Sequence, residues 1–482
     1  MNSVVADIPD PSGLKPASLL ALVWRLIAEI KRLWDEVARL RAENDLLKRK
    51  NARSATPFSK NQRKKNPKRP GRKPGQGDFR NRTAPAEEDY SGPPEDVPVN
   101  ETTCPDCGGD LREDEPEIVT NTDIPPTPKP EVKAYRIRIR TCCRCQRKVR
   151  GQHPDVAPDQ FGATAHRVGA RAQAAAQILH HDDGIPVRKV PGVLQTLTGL
   201  SMTQSAMTQS AIRLGTGTGP VAQKYQQLRD NCPAQEAINT DDTGWRINGN
   251  PAQMMVFESE AQTVYQIRAQ HRNEEVREVI GDDYQGTLGT DRGKSYDAKE
   301  LIELKQQKCV SHLLRSIDEV LKTKSGPARG FGVVLKSQLK EAVKLYKAFH
   351  DPTQKLRDYD QRVRALELEV SYHLRPRELK DPDNQRLLNE IGRHHERGNV
   401  LRFLHEPTTI EPTNNAAERA LRPAVIARKV SHCSKNERGA ESYSAFKSVI
   451  RTLKKQGGNL LEKLTQLMDR SPPDEATASA TT

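Results

Sequence analysis

The stretch AINTDDTGWRINGNPAQMMVFES, Ala237 to Ser259, decides the fold. Asn248-Gly249 sits between two strand-like runs, and a tight hairpin needs positive φ at both central residues, which Asn and Gly tolerate. TVYQIRA at 263–269 adds a third strand to an antiparallel meander. Downstream the pattern predicts a polar helix around 272–281, the short strand GTLGTD, a helix near 294–304 and another strand near KCVSHLL.

Strand-strand-strand-helix-strand-helix-strand is the order of a ribonuclease-H-like core, in which acidic residues at the ends of neighbouring central strands converge on one edge. Asp241 in the first strand and Asp291 closing the fourth occupy such positions. Each taken alone reads first as a surface aspartate, because charged residues are rarely buried and abundant here. Together they offer hard oxygen ligands for a pair of Mg²⁺ ions, which activate an attacking oxygen on one side of a phosphodiester and stabilise the leaving oxygen on the other. Strand alternation puts Asp241 and Asp242 on opposite faces, so only one of them can take this role.

Outward from this core, the 482-residue chain is 35% hydrophobic and 29% charged, long enough for several domains but rich in surface. It contains no run of about 18 apolar residues and no signal-peptide core, which predicts a cytoplasmic protein with no membrane contact. Its formal net charge is +14, and between Lys48 and Lys73 stand twelve Lys or Arg with no Asp or Glu. Such a block cannot bury a core and seeks a polyanion; Arg69, Arg72 and Lys73 in KRPGRKPGQ are its candidate DNA contacts. A solubilising linker is the plainer reading.

Leucines recur every seven residues at Leu19, Leu26, Leu33, Leu40 and Leu47, with Val23, Ile30, Val37 and Asn44 at the intervening a positions. β-Branched a residues, leucine at d and one polar a position favour a parallel two-stranded zipper, with Glu36 facing Arg41 and Glu43 facing Lys48 of a partner. Further on, CPDCGG at 104–109 and CCRC at 142–145 hold two CxxC knuckles. Cys104, Cys107, Cys142 and Cys145 suit a closed, structural Zn²⁺ site, and disulfides are the competing use of the same residues. YRIRIR before Cys142 reads as a strand. Residues 165–230 read as helices, two of them joined near Gly199–Met202, consistent either with a helix-turn-helix on DNA or with simple packing.

DDTGWRINGN, GTLGTDRGKSYD, KCVSHLLRS, IEPTNNAAERALRP, ARKVSHCS and SVIRTLKKQG together resemble the transposases of the insertion sequence 66 family. The zipper, basic arm and knuckles follow the same order in that family, so the resemblance spans nearly the whole chain. It implies a DDE active site with Asp241, Asp291 and Glu418 as the catalytic carboxylates, binding Mg²⁺ or Mn²⁺. Asp242 stands where the family pattern has Glu, and GQGDFRNR replaces its usual Gly-His continuation. Arg422 and Lys429 fall on the face of Glu418 and would neutralise phosphate charge, with Pro423 expected to kink the helix between them. The implied activity is strand cleavage at element ends and transfer of the 3′-hydroxyl into target DNA, with small accessory proteins of the same element as possible partners. The alternative is a catalytically silent DNA-binding repressor or domesticated relative.

The fold class expected is multidomain α+β: a coiled coil at 17–50, basic arm and linker at 51–100, zinc module at 101–150, and a helical DNA-binding segment at 160–232. The ribonuclease-H-like core spans 235–315 and 407–468 around a helical insertion at 316–406, and 470–482 is a disordered tail. Cys309 and His312 read as a packed CxxH and Trp245 as core rather than a base-stacking residue. Asn415 is expected to cap its helix, with Glu418 at the third helical position turned toward the two aspartates.

Overall fold

The computed structural model describes residues 15–53, 85–100, 103–110, 112, 118–120 and 129–469, the last span without 154–155, 157–159, 163–164, 354–356 and 432. The chain divides into two compact units between Asp123 and Ile124. In the first unit, Pro16–Arg53 forms one long helix, α1. Its a and d residues Val23, Leu26, Ile30, Leu33, Val37 and Leu40 are 38–54% exposed, an apolar stripe open to a second helix. Glu36 pairs with Arg39 of its own helix at 2.7 Å. The basic-arm residues Arg69, Arg72 and Lys73 lie outside the described residues, as does the tail after 469.

The second unit is built on a mixed five-stranded sheet, and Asn248 and Gly249 form its first turn with φ of 50° and 80°. Strands β3 (Ala237–Ile247), β4 (Asn250–Glu258) and β5 (Thr263–Arg268) form the expected meander. Before them, β1 (Ile139–Thr141) and β2 (Lys148–Arg150) make a separate small hairpin around the second knuckle, so the YRIRIR strand is confined to its end. Strand β6 (Thr287–Thr290) runs parallel to β3, and β7 (Gln306–Lys308) parallel to β6, giving the order β5-β4-β3-β6-β7.

The two faces of the sheet are covered by different helices, as alternation along its strands requires. Met255, Phe257, Val264 and Leu288 face α2 (Ala170–His181), α4 (Gln204–Gly215), α5 (Pro220–Asp230), α13 (Glu437–Lys455) and α14 (Leu460–Met468) in one apolar cluster. Met254, Val256 and Ile267 face α12 (Asn415–Ser431) through Ala417, Ala420, Leu421 and Ala424. Small side chains let that helix approach the strands closely. Trp245 is buried in this second cluster and donates its indole N–H to Ser434 Oγ at 3.1 Å, so it is core.

Helix α3 (Val190–Thr198) ends at Gly199, whose φ of 70° turns the chain toward α4, at the junction the sequence marks. Helix α6 (Asn273–Ile280) also forms as expected. The predicted helix at 294–304 does not: the segment makes two short 3₁₀ turns, Lys294–Asp297 and Lys299–Leu301. Gln306 Nε2 donates to the carbonyls of Tyr296 and Leu301, groups a regular helix would use itself. The strand expected across KCVSHLL is likewise shorter, because β7 stops at Lys308 and α7 (Val310–Thr323) starts two residues later to bury Leu313, Ile317, Val320 and Leu321. Helices α8 (Gly330–Phe349), α9 (Tyr359–Leu374), α10 (Pro382–Glu396) and α11 (Arg402–His405) join α7 around a hydrophobic core of their own.

Candidate active site

Asn239 pairs with Gly289 in the parallel β3–β6 ladder. Asp241 and Asp291 each lie two residues further along, so the register that buries the sheet also sets these carboxylates level on neighbouring strands. Neighbouring backbone holds them by short bonds: the Asp242 N–H, within β3, donates to Asp241 Oδ1 at 2.9 Å, and the Gly293 N–H, past the end of β6, to Asp291 Oδ1 at 2.7 Å. Burial pushes the Asp241 carboxyl up to about 7; the Asp242 amide opposes this, and the charges of Asp291, Asp242 and Glu418 add to it. All four carboxylates therefore share one electrostatic neighbourhood.

Glu418 enters from α12, whose alanine face packs on the sheet while Glu418, Arg422 and Lys429 lie exposed. The helix continues through Pro423, so these three share a face as expected. Its cap differs from expectation. The C=O that accepts the Glu418 N–H, at 3.2 Å, belongs to Asn414, which places the cap there and moves Glu418 to the fourth helical position. A capping box through Glu418 is thereby lost. Asn414 is buried, its Nδ2 donates to Thr240 O at 2.7 Å, and its backbone N–H donates to Cys309 Sγ at 3.2 Å.

Three further residues shape the pocket without having been singled out by the sequence. Tyr296 lies buried beneath the aspartates with its hydroxyl 3.3 Å from Thr240 Oγ1; burial drives its pKa up, and the charges of Asp291, Asp242 and Asp241 add to the shift. His271 Nδ1 is 3.0 Å from Asp242 Oδ1. Arg428 Nη1 donates to Gly244 O and ties the middle of α12 to β3. Tyr296 was hidden because its segment read as a helix, and His271 because a lone histidine after a strand carries no pattern.

The donor set fits a hard divalent cation, since carboxylate oxygens are its preferred ligands and four like charges in a half-buried pocket repel until one is present. Among the described residues, no three His, Cys, Asp or Glu side chains stand close enough as they are to hold a metal ion. Glu418 is exposed on its helix.

The cysteines form two turns of like construction. In the first unit the Cys104 N–H donates to Gly109 O and the Gly108 N–H to Cys104 O, with Gly108 at φ 73°. The second has the Cys142 N–H on Arg147 O and the Gln146 N–H on Cys142 O, with Gln146 at φ 60°. Backbone N–H groups aimed at the sulfur lower the Cys104 thiol, those of Cys107 and Asp106, and the Cys142 thiol, those of Cys145 and Arg144. All eight cysteines are free thiols, so disulfides are not formed and each turn presents a thiol pair suited to Zn²⁺.

Among the described residues no helix is long and apolar enough to cross a membrane. A search of curated proteins finds no match. A family model described as Transposase IS66 family matches residues 166–442, more than half the chain and all of the five-stranded sheet. With that match and the carboxylate-bearing sheet it covers, the chain belongs to the IS66 family of DDE-type transposases.

Proposed function

We propose that the five-stranded sheet is a ribonuclease-H-like catalytic core and that Asp241, Asp291 and Glu418 carry strand cleavage and strand transfer on DNA. The observation that carries this reading is the parallel register leaving Asp241 level with Asp291, together with the Glu418 charge acting on Asp241. A divalent cation, Mg²⁺ or Mn²⁺, would supply Lewis acidity and an activated oxygen nucleophile when bound. Asp241, within β3, and Asp291, just past the end of β6, would hold it and Glu418 would close on it from α12. Arg422, one turn beyond Glu418, would offset the charge that builds on the oxygens of the scissile phosphate, and Lys429, about 16 Å along the same helix from Glu418, would meet a phosphate further along the DNA. Asp242, with His271 Nδ1 3.0 Å from its Oδ1, lies beside the pocket.

Other parts supply the DNA and the second protomer. The first turns of α4 expose Thr203, Gln204, Ser205 and Gln209, uncharged donors and acceptors of the kind that read base edges. A cleft of about 650 Å³ between α7 and α8 is lined by Arg315, Lys322, Arg329 and by Lys336 paired with Asp318, and would offer DNA a further basic surface. The open stripe on α1 would pair two chains so that two DNA ends are held together, the knuckles would hold structural zinc, and Arg69, Arg72 and Lys73 would track phosphates.

Purified protein mixed with Mg²⁺ and DNA carrying the element ends tests the reading. Nicking at those ends by the wild type, lost in Asp241→Asn, Asp291→Asn and Glu418→Gln with end binding intact, is the expected result. Cleavage that survives these substitutions rejects the three carboxylates, and specific binding without cleavage by the wild type makes the protein a repressor.

A further inference from the structure

Asn414 and Cys309 form a junction where the backbone beside all three proposed carboxylates meets. Asn414 Nδ2 donates to the C=O of Thr240, the residue before Asp241, at 2.7 Å. Its backbone N–H donates to Cys309 Sγ at 3.2 Å, and its C=O receives the Glu418 N–H at 3.2 Å. The Cys309 N–H in turn donates to the C=O of Thr290, the residue before Asp291, at 2.9 Å. Both residues are 1% exposed, and the His312 side chain lies beside the Cys309 thiol from the first turn of α7, its backbone N–H donating to Cys309 O at 3.0 Å.

The sheet ladder fixes Asp241 against Asp291, but it has no hold on Glu418. That residue arrives on α12 after the whole α7–α11 insertion, and the side-chain bonds that tie α12 to the strands, Tyr265 Oη to Ala420 O and Arg428 to Gly244 O, both lie beyond it, which leaves its first turn to be fixed from the Asn414 end. We propose that the Asn414–Cys309 junction, backed by His312, is a positioning device that sets Glu418 relative to Asp241 and Asp291 for cation binding; this rests on the carboxylate reading above. Sulfur suits the task. Burial pushes the Cys309 thiol up, yet the neighbouring His312 ring and the bond from the Asn414 amide outweigh it and hold the thiol below its ordinary value, while the thiol in turn raises His312. The more charge the sulfur carries, the stronger its hold on the Asn414 N–H.

Mn²⁺ binding to full-length, zinc-supplied protein, followed by electron paramagnetic resonance beside thermal unfolding, tests the junction without needing turnover. Asn414→Ala removes the side-chain bond to Thr240, Cys309→Val removes the sulfur at nearly constant volume, and Cys309→Ser keeps an acceptor. Supporting shells around metal ligands are worth roughly 10–100-fold in affinity, so Asn414→Ala and Cys309→Val should weaken Mn²⁺ binding at least about tenfold, with Cys309→Ser recovering most of it. A purely packing role would lower the unfolding temperature and leave the affinity of the folded protein unchanged, and unchanged affinity in both variants overturns the junction. Should Asn414→Ala fail to fold, the Cys309→Val and Cys309→Ser pair carries the comparison. Asp241→Ala separates the two ideas: wild-type Mn²⁺ affinity there rejects the carboxylate reading itself, whereas weak binding there with wild-type binding in the junction variants rejects the junction alone.

Discussion

At the scale of single residues, the second unit holds two charges at a cost to its own stability. Asp241 is half-buried among three other carboxylates. Asp241→Asn keeps the shape and removes a repelled charge, so in cation-free buffer the variant should unfold at a higher temperature than the wild type, by on the order of 1–3 kcal/mol, while losing cleavage. Equal or lower stability would show that the pocket does not strain against its charges. Lys447 is the other case. Burial lowers it to about 8, against the pull of Asp182 and Asp183, and its Nζ donates to His181 O at 2.6 Å. A base depressed on folding binds its proton more weakly in the native state, so below pH 8 its burial costs stability, and the cost is relieved as pH rises from about 8 toward the unfolded value near 10.5. Lys447→Met should therefore be the more stable protein at pH 7 by roughly 1–2 kcal/mol, after allowing for the lost bond to His181, with the gap closing by pH 10.5 in a denaturation series. A gap that stays constant with pH would assign the effect to packing.

At the scale of elements, β5 poses the problem of any edge strand, a row of N–H groups with no neighbour to accept them. Helix α13 solves it with hydroxyls one turn apart: the Tyr265 N–H donates to Ser448 Oγ at 2.8 Å and the Thr263 N–H to Thr452 Oγ1 at 3.1 Å. That explains why SVIRTLKKQG carries Ser and Thr on a buried helical face, where an apolar pair would be expected. Ser448→Ala leaves the Tyr265 N–H buried without a partner and should destabilise the protein by about 1–3 kcal/mol, read from chemical denaturation with cleavage per folded molecule unchanged. A loss below a few tenths of a kcal/mol would mean that water or another acceptor takes the place of the hydroxyl. Legibility at this scale followed distance along the chain. Alternation and Asn248-Gly249 are local, so the β3–β4 hairpin could be read directly. The Gln306 side chain that replaced a helix at 294–304 with 3₁₀ turns acts through tertiary contact, and nothing in KSYDAKEL announces it.

Over the whole molecule the same contrast separates what the sequence carries from what folding adds. Strand order implied that Asp241 and Asp291 would be neighbours, because parallel register is a consequence of which strands pair. The cap of α12 was misplaced by one residue, because Asn414 and Asn415 are equivalent to any local rule and only the bond from Asn414 to Thr240, across 174 positions, distinguishes them. Charge is the property that needs no fold to be read: nearly all of the net +14 sits between Lys48 and Lys73, so DNA affinity should depend on that arm whatever its conformation. Binding to duplex DNA releases the counterions of each neutralised phosphate, and log K falls with log salt by about 0.9 per contact. If Arg69, Arg72 and Lys73 each meet a phosphate, the triple alanine variant should show a salt slope shallower by roughly 2–3, measured by fluorescence anisotropy between low and moderate salt. Loss should be similar on element ends and on unrelated duplex, because phosphate contacts carry no sequence information. An unchanged slope would reduce the three residues to a solubilising linker, and a loss confined to element ends would instead make them readers of base sequence or groove shape.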